Sequence, residues 1–270
     1  MSDFLYQKPL LGTPLDLSNP INQGLVGCWM FNEAGGMKAY DLSGKNNHGS
    51  LIYFAFPSTS ASGWHPGRTG STLSFDGADD YVVIAHNPTL NVYSITMEAW
   101  VYRNTSTVDE RMIVNKESSY EMQIGNISNS GQDHFEIAIK PNWVWKNGGF
   151  VPLEEWTHVA VTWDQNILRT YINGENTYSY DLTNGPVSDT TNILKIGART
   201  ESSAYFKGLI DEVRIYNRAL SAQEISQLYL TPYAGLSAVS LVYNKIEQIT
   251  TSFIQQIMQH KFIPPFLGVL

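Results

Sequence analysis

A polar loop and one distant acid are the residues whose types best suit metal chemistry. The loop, residues 41–50, reads DLSGKNNHGS and contains two glycines. Loops of this kind can wrap calcium with side-chain and carbonyl oxygens. Asp211 shares strand parity with Val213 and Ile215, so a regular strand would bury its carboxylate, which then needs a cation, a metal or several donors. The sequence therefore favours calcium between Asp41 and Asp211. The alternative is a turn capped by Asp41 and an arginine paired with Asp211.

A second acidic group follows in residues 76–80, which read DGADD. Asp76, Asp79 and Asp80 could also hold a metal ion. Because Asp-Gly is equally typical of a plain hairpin turn, a turn is the favoured interpretation here.

Saccharide binding requires exposed aromatic rings beside amide or carboxylate groups. Trp143 and Trp145 share parity within the loop-rich segment 140–149. Trp64 and His65 lie in another predicted loop, residues 58–71. These four residues are the candidate sugar contacts, although Trp143 and Trp145 could equally belong to the core or to an interface with a neighbouring subunit. The other tryptophans are predicted to lie in strands of the core: Trp29, Trp100, Trp156 and Trp163.

The sequence offers little for catalysis. A retaining glycoside hydrolase needs two carboxyl groups about 5 Å apart, which a Glu-x-Asp-x-Glu strand would supply, and no such triplet occurs. Glu98 has Thr96 and Trp100, not acids, as its neighbours on one strand face. Asp133 and Glu136 would point to opposite faces. Motifs for zinc, phosphate loops and dinucleotides are also missing, so we predict a protein that is not an enzyme.

The pattern between residues 24 and 216 is that of strands separated by turns. The clearest strands are residues 95–102 and 156–163, and Asn173-Gly174 predicts a two-residue hairpin. Further strands are predicted at residues 26–31, 81–84, 112–115, 121–124, 135–139, 193–196 and 209–216. We therefore predict an all-β protein, a two-sheet antiparallel jelly-roll sandwich with a C-terminal α-helical tail.

The helical pattern begins at a capping box formed by Ser221 and Glu224. This first helix should run to about residue 229 and end before Pro232. A second pattern, in the tail, spaces apolar residues by three and four as in a helix–helix seam. Its members are Val239, Val242, Ile246, Ile249 and Phe253, with Ile257 near their extension. An apolar tail of this kind either packs on its own domain or, as we favour, joins copies into a homo-oligomer.

Composition narrows the classes of partner. The 270 residues carry a net charge of −8, which disfavours nucleic acid, and no apolar run is long enough to span a membrane. Cys28 is the single cysteine, so the fold cannot use an internal disulfide. The first residues show no secretory signal pattern. We divide the chain into an extended arm (1–23), a sandwich (24–232) and a helical tail (233–270).

An ordered set of segments resembles the laminin G-like, concanavalin A-like jelly rolls. The clearest segments are LSFDGADDYVVI at residues 73–84 and GLIDEVRIYNRALS at residues 208–221, and the resemblance covers about residues 24–230. It implies a binding module with a structural calcium ion at Asp41, Asn47 and Asp211. The family usually has asparagine at the loop position that Lys45 occupies here. Such modules commonly bind glycans or proteins.

The resemblance, the proline-rich arm and the apolar tail together suggest a function. We expect a structural or adhesion module of a phage or virus particle, such as a capsid decoration or tail component, assembled in the host cytoplasm. Other particle proteins and surface glycans are its expected partners. The alternatives are a bacterial carbohydrate-binding lectin that acts alone and, third, a polysaccharide-degrading enzyme.

Overall fold

The computed structural model describes residues 8–104, 111–125, 133–141, 143–182, 185–199 and 204–236. These residues form sixteen β-strands and one α-helix. The elements in chain order are β1 (Leu25–Trp29), β2 (Lys38–Ala39), β3 (Gly49–Ile52), β4 (Gly63–Pro66), β5 (Ser71–Asp76), β6 (Tyr81–Ile84), β7 (Ile95–Tyr102), β8 (Arg111–Lys116), β9 (Tyr120–Gly125), β10 (His134–Ile139), β11 (Lys146–Phe150), β12 (Trp156–Trp163), β13 (Ile167–Ile172), β14 (Glu175–Asp181), β15 (Leu194–Ile196), β16 (Lys207–Tyr216) and α1 (Ala222–Leu230).

The strands form two antiparallel sheets. In the sheet that we call the back sheet, the strand order is β14-β13-β12-β7-β16-β5-β4, and β1 also pairs with β16. In the front sheet the order is β11-β10-β9-β8-β15-β6-β3-β2. This arrangement confirms the predicted jelly-roll sandwich.

The main core lies between the sheets and follows from the alternation along their strands. Met97, Ala99 and Val101 of β7 point into it, as do Met122 and Ile124 of β9. The predicted strands 95–102 and 156–163 are confirmed, and β13 and β14 are joined by the predicted turn, in which Asn173 and Gly174 have φ values of 50° and 80°. The residues between these inward positions therefore face away from the sandwich.

A second core covers the outer face of the back sheet. Helix α1 contributes Ile225 and Leu228, which pack with Cys28 of β1 and Tyr216 of β16. The predicted capping box is confirmed, because the Ser221 side chain accepts from Glu224 N and the Glu224 carboxylate accepts from Ser221 N. Cys28 is buried, as predicted.

Residues at both ends of the described chain join this second core. Ile21 and Leu236 are buried in it, and Leu236 forms an isolated β-bridge with Leu15. Asp16 N donates to Gly235 O at 2.9 Å. Residues 15–22 and 233–236 thus lie together on the back sheet. The predicted seam residues Val239, Val242, Ile246, Ile249, Phe253 and Ile257 lie outside the described residues. Within the described segments, no helix is long and apolar enough to cross a bilayer.

Two local features differ from the expectations. The expected loops 58–71 and 140–149 contain strands β4 and β11, which their glycine and proline content concealed. Strand β16 is not regular, since its pairing with β7 shifts between Asp211 and Arg214 and Glu212 has a φ of 49°. This β-bulge breaks the alternation on which the predicted direction of Asp211 depended.

The Asp211 carboxylate is buried and its cation is Lys8, not an arginine. Lys8 Nζ forms an ion pair with Asp211 Oδ1 and also donates to the carbonyl oxygen of Ser71. Both side chains are almost completely buried, 3% and 1% exposed. Burial raises the pKa of Asp211 to about 7, and the Lys8 ammonium acts against that rise. The ion pair therefore ties the start of the described chain to β16.

We expect Lys8→Met to lower the free energy of unfolding by about 3–5 kcal/mol at pH 8, because it leaves a buried carboxylate without its cation. A carboxyl group whose pKa is raised in the folded state stabilises the fold below its unfolded pKa, and this contribution is lost as the pH rises through the folded pKa. The difference in the free energy of unfolding between the wild type and Lys8→Met should therefore shrink as the pH falls towards 5. Denaturant unfolding at several pH values measures it, with Asp211→Asn in the Lys8→Met background as the control that removes the pH dependence.

Candidate functional site

The Asp41 loop is held by four hydrogen bonds to one carboxylate. Asp41 Oδ1 accepts from Cys28 N and Ser43 N, both at 2.9 Å. Asp41 Oδ2 accepts from Ser43 Oγ at 2.7 Å and Asn47 N at 2.9 Å. A carboxylate offers about four lone-pair sites, so these contacts satisfy Asp41 from within the protein.

The three residues of the predicted calcium site have separate partners. The Asn47 amide donates to Val26 O and Thr89 Oγ1, and its Oδ1 is buried without a hydrogen bond. Asp211 Oδ1 is paired with Lys8. The contacts of Asp41 and Asp211 are thus those of a capped turn and of an ion pair. Calcium stays a proposal here, and the unpartnered Asn47 Oδ1 is the feature that supports it.

We expect Asp41→Ala to lower the free energy of unfolding by about 3 kcal/mol in the presence of a chelator, because buried donors of the loop lose a charged acceptor. Thermal unfolding of both proteins with calcium and with chelator provides the measurement. A calcium-dependent rise in Tm for the wild type that Asp41→Ala abolishes would support a bound ion. An equal rise in the two proteins would place any calcium elsewhere.

The second acidic group lies at the turn between β5 and β6. Possible ligand atoms of Asp76, Asp79 and Asp80 lie within 4.8 Å of one another. Asp76 Oδ1 accepts from Ala78 N at 2.7 Å and from Asp79 N at 3.3 Å, while Asp80 Oδ2 accepts from Asp76 N at 3.0 Å. Burial raises the pKa of Asp80 to about 6. These bonds are those of an acid-capped hairpin turn.

The four residues predicted to contact sugars lie in different environments. Trp64 is in the main core, 9% exposed, with its indole donating to Gly36 O at 2.9 Å, so its ring presents no open face. His65 follows it on β4, and its Nε2 lies 2.5 Å from Thr59 O. Trp143 lies beside Lys140, whose Nζ is 5.2 Å from the ring centre. Trp145 precedes β11 and lies beside Arg199.

The outer face of the front sheet carries a continuous row of residues that the sequence analysis did not identify. The register aligns one residue from each of six neighbouring strands, and five of the six are polar. In order across the sheet they are Glu121, Asn115, Lys195, Val83, Ser50 and Lys38. The pattern within any one strand does not contain the row, because its members come from six strands that only the pairing register aligns.

At one end of the row, Arg199 is fixed against Trp145. Its Nε and Nη2 donate to the two Glu121 carboxylate oxygens at 3.2 and 2.6 Å, a bidentate arrangement. The guanidinium carbon lies 5.6 Å from the Trp145 ring centre, and Glu117 borders the group 3.9 Å from Arg199 Nε. Burial raises the pKa of Glu121 to about 7, although Arg199 acts to lower it. The result is a tryptophan and a guanidinium held in a fixed relation.

Further along the row, Lys195 lies over one tyrosine, which in turn contacts a second. Lys195 Nζ lies 4.3 Å from the Tyr81 ring centre. Tyr53 meets Tyr81 edge to face, with ring centres 6.2 Å apart, and its side chain is 69% exposed. We call Trp145, Arg199, Glu117, Lys195, Tyr81 and Tyr53 the front-sheet strip. It combines exposed or half-buried rings with polar groups.

Glu98, the acidic residue of β7, has a structural role. Glu98 is buried on the outer face of the back sheet, where it pairs with Arg214 and His158 from the strands on either side of β7. Although burial acts to raise it, the pKa of Glu98 is lowered by Arg214 and His158. These cross-strand partners come from β12 and β16 and are not visible in the pattern of β7 alone.

Comparison with known proteins agrees with this architecture. A model of the concanavalin A-like lectin/glucanases superfamily matches residues 76–226, more than half of the chain. The chain belongs to this superfamily. Among curated proteins, the human adhesion G-protein coupled receptor D1 is 30% identical over 119 residues. That match covers 42% of this chain and only 13% of the receptor.

Solved structures of binding domains share the concanavalin A-like fold. Domain 4 of AbnA, a GH43 extracellular arabinanase from Geobacillus stearothermophilus solved with arabinotriose, is 20% identical, with a TM-score of 0.57 over 76% of this chain and 98% of that domain. The binding domain of Paraclostridial Mosquitocidal Protein 1 is 15% identical, with a TM-score of 0.62 over 79% of this chain and 53% of that one. The receptor-binding domain of a botulinum neurotoxin mosaic serotype C/D is 18% identical, with a TM-score of 0.59 over 78% of this chain and 51% of that one.

Proposed function

We propose that this chain is a non-enzymatic glycan-binding module and that the front-sheet strip is its binding surface. The observation that carries the proposal is the fixed pair of Arg199 and Trp145, which places a guanidinium group beside an aromatic ring. Sugars are bound by such combinations, because a ring packs on the apolar face of a pyranose while donors reach its hydroxyl groups. The arabinotriose bound to the similar AbnA domain supports the same class of ligand.

The size of the strip suits an oligosaccharide. Glu121, which anchors Arg199, is separated from Lys195 by Asn115 in the row. Two strand spacings correspond to about 10 Å. A ligand that touches both Trp145 and Tyr81 must therefore be longer than a single sugar ring.

The buried carboxylates on the outer face of the front sheet are better suited to holding neighbouring side chains in place than to catalysis. Glu121 is fully buried and bound to Arg199, and Glu136 is 1% exposed and accepts from Gln123 Nε2 at 2.9 Å. A general acid must reach the glycosidic oxygen, and a nucleophile must reach the sugar carbon. Neither buried carboxylate is accessible in this way.

We further propose that the module belongs to a phage or virus particle, in which the tail assembles copies and joins other particle proteins. Two features support this proposal. The apolar seam of the tail requires a covering surface, and Leu236, where the tail begins, lies on the back sheet with Leu15. The strip lies on the opposite sheet, so assembly through the tail would leave it accessible to glycans.

A glycan array should yield at least one oligosaccharide ligand, and Trp145→Ala should weaken its binding at least tenfold, about 1.4 kcal/mol, because the stacking surface is lost. Isothermal titration calorimetry measures the affinities. Tyr178→Ala is the matched control, since Tyr178 is an exposed aromatic residue on β14 of the back sheet.

The glycan proposal fails if no oligosaccharide binds at millimolar concentration or if Trp145→Ala and Tyr178→Ala have equal effects. Release of reducing sugar from a bound polysaccharide would instead indicate an enzyme.

Removal of residues 237–270 should leave a folded protein, because Leu236, the last residue of the second core, is retained. We expect this truncated form to be monomeric and to keep glycan affinity, whereas the full-length chain forms oligomers. Light scattering compares the two, and circular dichroism checks the fold. A full-length chain that stays monomeric at high concentration would contradict assembly through the tail.

A further inference from the structure

We infer that one end of the front-sheet strip is a subsite for a single carboxylate of an acidic saccharide, held by Lys195 beside Tyr81 and Tyr53. This inference rests on the proposed glycan-binding function and names the chemical class of the ligand. A sugar of the uronic acid type would supply both the carboxylate and a ring.

Lys195 lies in the middle of the row of outward-facing residues. It is the central residue of β15 and pairs with Asn115 of β8 and Val83 of β6, so it lies within the row and not at its edge. Its Nζ lies over the face of Tyr81, 4.3 Å from the ring centre. The tyrosine limits the approach of water to the ammonium group from that side.

Lys195 is a half-buried cation. Burial lowers the pKa of Lys195, and no neighbouring carboxylate acts in the other direction. Lys195 also forms no ion pair with any residue in the described part of the chain. By contrast, Arg199 in the same strip is bound to Glu121. A half-buried cation without a counter-ion gains most from an anionic ligand.

Tyr53 extends the aromatic surface that begins with Tyr81. Tyr53 has a φ of 64°, a left-handed backbone conformation that costs a tyrosine about 1 kcal/mol or more. Its ring is nevertheless mostly exposed and meets Tyr81 at an angle of 69°. The bend after β3 thus presents an aromatic side chain to solvent next to Tyr81, whose ring lies under Lys195. A sugar ring can pack there while its carboxylate reaches Nζ.

The charges of the protein favour a ligand with one carboxylate over a densely sulfated saccharide. Recognition of polyanions uses clusters of basic residues, whereas the protein carries a net charge of −8. Glu117 and Glu121 both contact Asn115, which precedes Lys195 in the row. A polyanion that lay along the strip would meet these acids, while one carboxylate at Lys195 would not.

The test compares three oligosaccharides of equal length: a uronic acid form, its carboxyl-reduced neutral form and a sulfated form. Each is titrated into the full-length protein and into Lys195→Met, which keeps the length of the side chain and removes its charge. Lys207→Met, an exposed lysine on β16, is the control. Loss of a charge-assisted hydrogen bond should weaken binding of the uronic acid form about tenfold. Neutral binding should change less than twofold.

Higher salt should also weaken binding of the uronic acid form to the wild type but not to Lys195→Met. Equal affinity for the acidic and neutral forms in both proteins overturns the carboxylate subsite and leaves glycan binding intact. Tighter binding of the sulfated form overturns the choice of a single carboxylate. Absence of binding to all three, with no ligand on a glycan array, overturns the glycan-binding function itself and with it this subsite.

Discussion

The structure depends on the burial of both faces of the back sheet. One face packs in the sandwich and the other is covered by α1 and by residues at both ends of the described chain. Polar groups enclosed there must be paired, since an unpaired buried charge would cost several kcal/mol. Glu98 with Arg214, and Asp211 with Lys8, meet that requirement. Glu98 of β7 and Asp211 of β16, whose types alone could indicate a catalytic or metal site, therefore stabilise the fold through buried ion pairs.

Because the outer face of the back sheet is covered, a ligand can reach the central strands of the sandwich only from the outer face of the front sheet. Its outer face is polar, and the carboxylates of its buried acidic residues accept hydrogen bonds from neighbouring side chains. Glu121 fixes Arg199, and Gln123 binds Glu136. Fixed donors lose little conformational entropy when a ligand arrives, which favours binding of hydroxyl-rich molecules that offer few apolar contacts.

The fold could be predicted from sequence because its signals are local. Alternation marks β7 and β12, a two-residue turn marks the β13–β14 hairpin, and a capping box marks α1. The front-sheet strip could not be predicted in the same way, since its members come from segments far apart in the chain. Tyr53 and Trp145 lie in irregular turns, and only strand order brings Lys195 beside Asn115. Of the predicted sugar contacts, Trp145 lies in this strip, whereas Trp64 belongs to the core.

The bulge at Asp211 shows why parity arguments fail where a site is assembled from several strands. A regular β16 would turn Asp211 with Val213, but the extra residue at Glu212 changes the phase and brings Asp211 to Lys8. Lys8 supplies a positive charge at Oδ1 of the carboxylate, as a metal ion would, and joins the start of the described chain to the sheet. Beyond the bulge the alternation is regular, so Arg214, between the inward-facing Val213 and Ile215, lies on the outer face and reaches Glu98. The irregular position at Glu212 therefore sets the partner of Asp211, and that partner, Lys8, lies 203 residues away in the chain.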